Sequence, residues 1–258
     1  MRLATWNVNS LAVRLPRVEE WIRYAEPDVL CLQETKLADD AFPHEAFASL
    51  GYETAHHGNG QWNGVAIASR VGLTQVATGL GSDEDDAQGT RLVAAECGGV
   101  RVHSVYVPNG RSLDSEQYTA KLAWLARLRE LLDETASPDA PVAVCGDFNV
   151  APEDRDLWDP AEFVGATHVS EPERAALARL EEWGLVDAFR RIYDGDHLFT
   201  WWDYRAGNFH KHKGMRIDLI LVTETLAART RYALVDRNAR KGEKPSDHAP
   251  VFIDVGDD

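Results

Sequence analysis

The chain has 258 residues, of which 44% are hydrophobic and 27% are charged, which is enough apolar material for a sizeable buried core. Acidic residues outnumber basic ones by 42 to 27, so the net charge is −15, and averaged over the surface this charge argues against a polyanionic partner. No apolar run approaches the roughly 18 residues of a membrane-spanning helix, and no signal peptide precedes the first strand-like segment. We therefore expect a cytoplasmic protein with no membrane partner.

The predicted elements begin with a strand at Arg2–Val8, followed by a helix that starts near Pro16 and runs to about Ala25. Apolar or alternating runs predict further strands, with Gly98-Gly99 as a hairpin turn between two of them. These strands are Val29–Leu32, Tyr52–Ala55, Gly64–Ser69, Leu73–Thr78, Leu92–Glu96, Val100–Val107, Pro141–Cys145, Ile217–Val222 and Val251–Val255.

Two longer helices are predicted, at Ser115–Thr135 and Glu171–Trp183. The first has an apolar face formed by Tyr118, Leu122, Leu125, Leu128 and Leu132. With about a dozen strands and no break in composition, we expect one domain over residues 1–258, made of two packed sheets with helices outside. The acidic run Asp83–Asp86 is expected to be solvated surface.

Three cysteines, Cys31, Cys97 and Cys145, all lie inside apolar runs. An odd number of cysteines in such positions is typical of reduced, buried thiols, which agrees with a cytoplasmic compartment.

Charge is unevenly distributed along the chain. Residues 201–248 contain ten Lys or Arg and six Asp or Glu, a local net of +4. This segment suits a phosphate-bearing ligand, although ordinary scatter of surface charge also accounts for it.

Four acidic motifs stand at or beside the ends of apolar runs, where loops converge in α/β proteins. Their acids are Glu34, Asp147, Asp218 and Asp247. Carboxylates with neighbouring amides and a histidine suit a hard divalent cation and phosphate chemistry. The four motifs therefore predict one metal site, although a single such glutamate would equally well cap a loop.

The companions of these acids suggest separate roles. Asp147 can activate water, and Asn149, two residues later, can hold a phosphoryl oxygen without changing charge. Asp218 can orient the imidazole of His248 and stabilise its cation. The phenol of Tyr106, at the end of a strand, can reach a phosphate, although a purely structural tyrosine is the commoner case.

The motifs taken together resemble one family, that of exodeoxyribonuclease III and the class II AP endonucleases in the endonuclease/exonuclease/phosphatase superfamily. The matching stretches occur in the family's order and span essentially the whole chain; they are Pro27–Lys36, Tyr106–Gly110, Gly146–Asn149, Phe199–Arg205, Gly214–Asp218 and Ser246–His248. The resemblance implies a four-layered α/β sandwich, with two packed, mostly antiparallel β-sheets flanked by helices.

The same resemblance implies a hydrolase that incises duplex DNA 5′ to abasic sites, acts as a 3′→5′ exonuclease and removes blocking groups from 3′ ends. The implied cofactor is Mg²⁺, with Mn²⁺ as a substitute, and the implied partner is double-stranded DNA that is abasic or 3′-blocked. Nothing in the sequence requires more than a monomer.

Site roles also follow from the resemblance. The metal positions are Asn7, Glu34, Asp147, Asn149 and Asp247, with Glu34 as the principal ligand. The catalytic positions are Tyr106, Asp147, Asn149, Asp218 and His248. The substrate positions are Arg91, Asn109, Trp201, Met215 and Ile217; of these, Trp201, Met215 and Ile217 match an apolar pocket for an extruded baseless sugar.

Two other functions remain open at this point. One keeps the superfamily chemistry but acts on a phospholipid or an inositol phosphate, which would suit the acidic composition. The other is a catalytically silent DNA-binding or scaffold protein, which the intact set of acids and histidine disfavours.

Overall fold

The computed structural model describes residues 1–81 and 89–256. Its strands are β1 (Arg2–Asn7), β2 (Val29–Gln33), β3 (Glu53–His57), β4 (Val65–Ser69), β5 (Thr74–Thr78), β6 (Leu92–Cys97), β7 (Val100–Tyr106), β8 (Val142–Asp147), β9 (Leu185–Asp187), β10 (Asp218–Thr223), β11 (Thr230–Val235) and β12 (Val251–Val255). Its α-helices are α1 (Leu11–Ala25), α2 (His44–Ala48), α3 (Glu116–Thr135), α4 (Glu171–Trp183), α5 (Ala188–Ile192) and α6 (Glu224–Ala227). The acidic run Asp83–Asp86 lies outside the described residues.

The strands form two six-stranded sheets, ordered β11-β12-β1-β2-β4-β3 and β5-β6-β7-β8-β10-β9. Each sheet contains one parallel pair, β1 with β2 and β7 with β8, and the other pairs are antiparallel. A parallel pair needs a crossover connection, and α1 and α3 provide those crossovers.

Three apolar layers explain why the sheets and helices stack. The cluster between the sheets contains residues of both sheets, for example Leu3 and Ile67 of one sheet and Val102 and Ile220 of the other. A second cluster lies between the outer face of one sheet and α3 and α4, and a third lies under α1 and α2. The predicted four-layered sandwich of two mostly antiparallel sheets is therefore confirmed. Within the part of the chain that the structure describes, no helix is both long and apolar enough to cross a membrane.

The start of α1 differs from the prediction. The helix begins at Leu11, and Pro16 lies inside it instead of near its first turn. The extra turn forms because the backbone N–H groups of Ser10 and Leu11 donate to the carbonyls of Glu34 and Thr35, at 2.7 Å and 2.9 Å. These partners are distant in sequence, so a local pattern could not reveal them.

Two strands were not predicted, β9 and β11. The first has only three residues, and the second pairs with β12 through an irregular register that obscures alternation. The predicted apolar face of α3 was also wrong at one position: Lys121 is fully buried there, whereas Leu122 is only partly buried.

Strand direction decides where the acidic motifs lie. Because β1 and β2 are parallel and β12 runs against β1, the carboxyl ends of the first two strands meet the amino end of β12. In the other sheet β7 and β8 are parallel and β10 is antiparallel to β8, which brings Tyr106, Asp147 and Asp218 together in one row. All four motifs consequently lie at the same end of the sandwich.

Candidate active site

Asn7 joins the two sheets at the centre of the site. Its amide Nδ2 donates to Glu34 Oε1 and to Asp147 Oδ2, both at 2.9 Å. Its side-chain oxygen accepts from the backbone N–H of Asn9 at 3.0 Å. In this orientation Asn7 presents its nitrogen to the carboxylates, so its contribution to the site in this structure is a bridging hydrogen bond.

His248 lies between two buried carboxylates. Its Nδ1 is 2.8 Å from Asp218 Oδ2, and its Nε2 is 3.8 Å from Asp147 Oδ2. Burial opposes a charged imidazole, but the carboxylates of Asp218, Asp147 and Asp247 outweigh it and raise the pKa of His248 to about 10. The imidazole is therefore cationic at neutral pH.

The pKa of Asp147 is also raised, but here the raised pKa favours the neutral form of the side chain. Its side chain is 2% exposed, and burial, opposed by His248 and reinforced by Asp218, raises the pKa of Asp147 to about 7. Its Oδ1 accepts from the backbone N–H of Asn149 at 2.9 Å. A carboxylate whose pKa lies near neutrality is suited to accept a proton from water.

The donor set fits a divalent cation. Glu34, Asp147 and His248 each offer an atom within 4.8 Å of the others. The two carboxylates are hard oxygen donors of the kind that Mg²⁺ and Mn²⁺ prefer, while the cationic His248 is better suited to offset charge than to ligate. Lys36 Nζ also lies 2.9 Å from Glu34 Oε2.

Asp247 lies beside this group without joining it. Its two oxygens accept hydrogen bonds from Asn9 Nδ2 and Trp201 Nε1, each at 3.0 Å. Each carboxylate oxygen has a further lone pair, so these bonds leave a ligand role for Asp247 open.

Tyr106 faces Glu34 and Asp147 from the end of β7. Burial and these two carboxylates hold the pKa of its phenol well above the usual value, against the opposing effect of Arg91. The phenol is therefore a hydrogen-bond donor at neutral pH. The guanidinium of Arg91 lies 4.7 Å from the centre of the Tyr106 ring and donates to the Tyr106 carbonyl at 3.2 Å.

Asn149 and Asn109 form an amide pair next to the acids. Asn109 Nδ2 donates to Asn149 Oδ1 at 3.2 Å, and Asn149 Nδ2 donates to the Val107 carbonyl at 2.9 Å. An amide has two N–H donors, so the second N–H of Asn149 is available to a ligand. Asn149 has a φ of +50°, an uncommon conformation for a residue with a side chain.

Trp201, Met215 and Ile217 belong to one apolar cluster, but they are not equally accessible. Met215 and Ile217 are each 2% exposed, whereas Trp201 is partly exposed. Trp201 is paired through its backbone with Met215 on one side and with His248 on the other. Of the three residues, Trp201 is therefore the one that a ligand can contact at the surface.

Sequence reasoning missed Lys121 and Glu173, which lie directly behind the amide pair. Lys121 Nζ donates to the carbonyl of Asn149 at 2.7 Å and to Glu173. Two signals were present: Lys121 shares the apolar stripe of α3, and Ser170 with Glu173 has the spacing of a helix capping box, which the structure contains.

Known proteins are similar to this chain over nearly its whole length. A model described as the endonuclease/exonuclease/phosphatase family matches residues 4–248. Exodeoxyribonuclease III from Haemophilus influenzae is 35% identical over 265 residues, covering 98% of this chain and 99% of that protein.

Two solved structures are similar to this one. An AP endonuclease from Archaeoglobus fulgidus has a TM-score of 0.96 and 38% identity, with all of both chains covered. A 3′ phosphatase from Neisseria bound to a product DNA hairpin has a TM-score of 0.95 and 41% identity, with 99% of each chain covered. The resemblance seen in the motifs is confirmed, and the chain belongs to the endonuclease/exonuclease/phosphatase family.

Proposed function

We propose that this protein is a divalent-metal-dependent DNA repair phosphodiesterase that incises duplex DNA 5′ to abasic sites and also processes 3′ ends. The observation that carries the proposal is the convergence of Glu34, Asp147 and His248 at one end of the sandwich. Full-length relatives named as an exodeoxyribonuclease and an AP endonuclease support the same class of hydrolytic nuclease.

Each group in the site has a proposed role in phosphodiester hydrolysis. Asp147 accepts a proton from the attacking water, and cationic His248, held by Asp218, offsets charge on the pentavalent phosphate. The phenol of Tyr106 and the free N–H of Asn149 donate hydrogen bonds to phosphate oxygens. A divalent cation, when bound by Glu34 and Asp147, supplies further positive charge for the phosphate and for the departing 3′-oxygen.

The choice of metal and the outer ligands are finer proposals. Mg²⁺ is proposed as the cofactor, with Mn²⁺ as a substitute, because the available donors are oxygens. Asn7, Asn149 and Asp247 are proposed as supporting ligands or as groups that hydrogen-bond bound water. Each of them is within or beside the hydrogen-bond network that surrounds the two carboxylates.

Substrate choice is proposed to depend on Arg91, Asn109 and the Trp201 cluster. A flipped abasic sugar has no base to unstack, which lowers the cost of extrusion. Because Met215 and Ile217 are almost inaccessible, such a sugar would reach them only if the side chains packed around them moved. The burial of Met215 and Ile217 and the similarity to a 3′ phosphatase support a second candidate, in which 3′-end processing dominates over incision.

One assay separates these functions. Duplexes carrying an internal abasic analogue, a 3′-phosphate or an unmodified recessed 3′ end are incubated with Mg²⁺, with Mn²⁺ or with EDTA, and the products are resolved by size. We expect cleavage that requires the metal, and the ratio of the products measures the balance between incision and end processing.

Absence of cleavage of all three duplexes with either metal would refute the proposal. Hydrolysis of an inositol phosphate without action on DNA would favour the lipid-type alternative. Tight binding of DNA without any cleavage would favour a silent binding protein.

A further inference from the structure

The helix α3 contains a charged residue where its pattern requires an apolar one. Residues 118, 121, 125, 128 and 132 form a single buried stripe, and position 121 is a lysine with a side chain that is 0% exposed. Its partner, Glu173 of α4, is also 0% exposed. Fully buried Lys and Glu are rare even when paired, so this pair requires an explanation.

All polar atoms of the pair have partners. Lys121 Nζ donates to Glu173, to the carbonyl of Asn149 at 2.7 Å and to the carbonyl of Asn109 at 3.4 Å. The three N–H donors of the ammonium are thus used. Glu173 also accepts from Thr167 Oγ1 at 2.8 Å and from several donors at the start of α4, namely the N–H groups of His168 and Ser170 and the Ser170 hydroxyl.

Fold stability alone does not account for such a pair. Desolvation of two charges roughly cancels their attraction, and well-packed apolar residues of similar volume are often as stabilising or more so. Apolar residues, however, could not donate to the carbonyls of Asn109 and Asn149. These carbonyls belong to the two loops that follow β7 and β8 and carry the amide pair of the active site.

Asn149 in particular needs to be held. Its φ of +50° is uncommon for a residue with a side chain. Its carbonyl accepts hydrogen bonds from Lys121 Nζ and, at 2.5 Å, from His168 Nδ1. On the other side of the residue, its backbone N–H donates a hydrogen bond to Asp147 Oδ1. Fixing the peptide groups on both sides of this residue fixes the direction of its Cα–Cβ bond, and hydrogen bonds to Asn109 and to the Val107 carbonyl then orient the side-chain amide.

We propose that Lys121 and Glu173 are positioning residues, which hold Asn109 and Asn149 in the orientation that the phosphate requires. This inference rests on the proposed function, in which Asn149 donates to the phosphate during hydrolysis. A misplacement of about 1 Å in a reacting or stabilising group can cost about 10²-fold in rate, so the pair affects kcat more than substrate binding.

The test uses the double substitution Lys121→Met/Glu173→Gln, which removes both charges and nearly conserves volume. The single change Lys121→Met would leave Glu173 buried without its cation and destabilise the fold. The matched control is Arg191→Met/Glu224→Gln, which removes an exposed ion pair of 3.0 Å between α5 and α6. The readouts are thermal unfolding, kcat and KM on the duplex that the wild type cleaves best, and the NMR signals of the Asn109 and Asn149 side-chain amides.

We expect the double variant to fold, to keep KM within about threefold, and to lose about 10²-fold in kcat, with both amide signals displaced and the control unchanged. Wild-type kcat in a folded double variant would overturn the inference, as would a loss of activity that matches the loss of folded protein. If the wild type itself cleaves no DNA, the proposed function fails, and the amide signals alone decide whether the pair positions the two asparagines.

A milder variant decides the question if the double variant does not fold. Thr167→Val keeps both charges and removes a hydroxyl that bonds Glu173 and lies 3.2 Å from the Asn109 carbonyl. We expect a fall in kcat of about three- to tenfold with unchanged KM, corresponding to one lost hydrogen bond. An unchanged kcat in that case would overturn the inference.

Discussion

Replacement of Asp147 by asparagine should stabilise the metal-free protein while it abolishes cleavage. Burial raises the pKa of this carboxyl from 3.8 to about 7. Each pKa unit corresponds to about 1.4 kcal/mol, so above pH 7 the ionised group destabilises the fold by at most about 4 kcal/mol. Asn7 donates to Asp147 Oδ2, and loss of that bond costs about 1–2 kcal/mol.

The net expectation for Asp147→Asn is a gain of about 2 kcal/mol above pH 7, or roughly 5 °C in Tm for a chain of this size. Because the native state holds this proton more tightly than the unfolded state, the stability of the wild type relative to the variant should fall as the pH rises from about 4 to 7. Groups other than Asp147 titrate in both proteins, so the difference between the two Tm values is the quantity to follow.

The measurement is thermal unfolding in EDTA across that pH range, with cleavage assayed separately in Mg²⁺. Asp139→Asn is the control, since Asp139 is exposed, and neither Tm nor cleavage should change. Added Mg²⁺ should raise the Tm of the wild type more than that of the variant, because a ligand stabilises only the state that binds it. A variant that is less stable than the wild type above pH 7 would refute this reasoning.

Three further changes test other parts of the structure. Arg216→Met leaves the carboxylates of Asp156 and Asp187 without a guanidinium that lies 2.7 Å from each, and denaturant unfolding should show a loss of about 3–5 kcal/mol; a loss below 1 kcal/mol would contradict this. Burial raises the pKa of Glu173, but the ammonium group beside it outweighs burial and lowers the pKa from 4.5 to about 2. Its contribution to stability is therefore present above pH 4.5 and lost as the pH falls toward 2, so acid titration of Glu173→Gln should show a flatter dependence in that range, and a slope equal to that of the wild type would count against the assignment. His248→Gln should lower kcat by about 10³-fold in single-turnover cleavage, and a rate within tenfold of the wild type would remove His248 from the mechanism.

Local patterns identified most elements of the fold because the chain is locally consistent. Glu171–Trp183 and Val251–Val255 were predicted with the observed bounds, since Gly184 ends the helix and an apolar run marks the strand. The start of α1 was wrong because its first N–H groups bond to Glu34 and Thr35, which local sequence does not specify. The three-residue strand β9 is too short to have a pattern of its own.

The site residues were predicted one by one from motifs, but the contacts among them could not be predicted. The acids and His248 were named from motifs, and the separation of Asp247 from the metal-binding group became visible only in space. Likewise, Met215 and Ile217 were predicted to contact the substrate, but both are buried in a cluster with Ala151 and Leu157. These contact roles stay predictions.

The sequence by itself determined the chemistry that this protein can perform, because residue types and their order along the chain specify oxygen ligands, a histidine and the family that arranges them. Tertiary structure decided how these groups act on one another. Only the strand register brings Asp147 and Asp218 to the same histidine, and only burial between two sheets raises the pKa of Asp147 to about 7 and that of His248 to about 10. Electrostatic interactions depend on distance and on exclusion of water, and neither can be read from a linear chain.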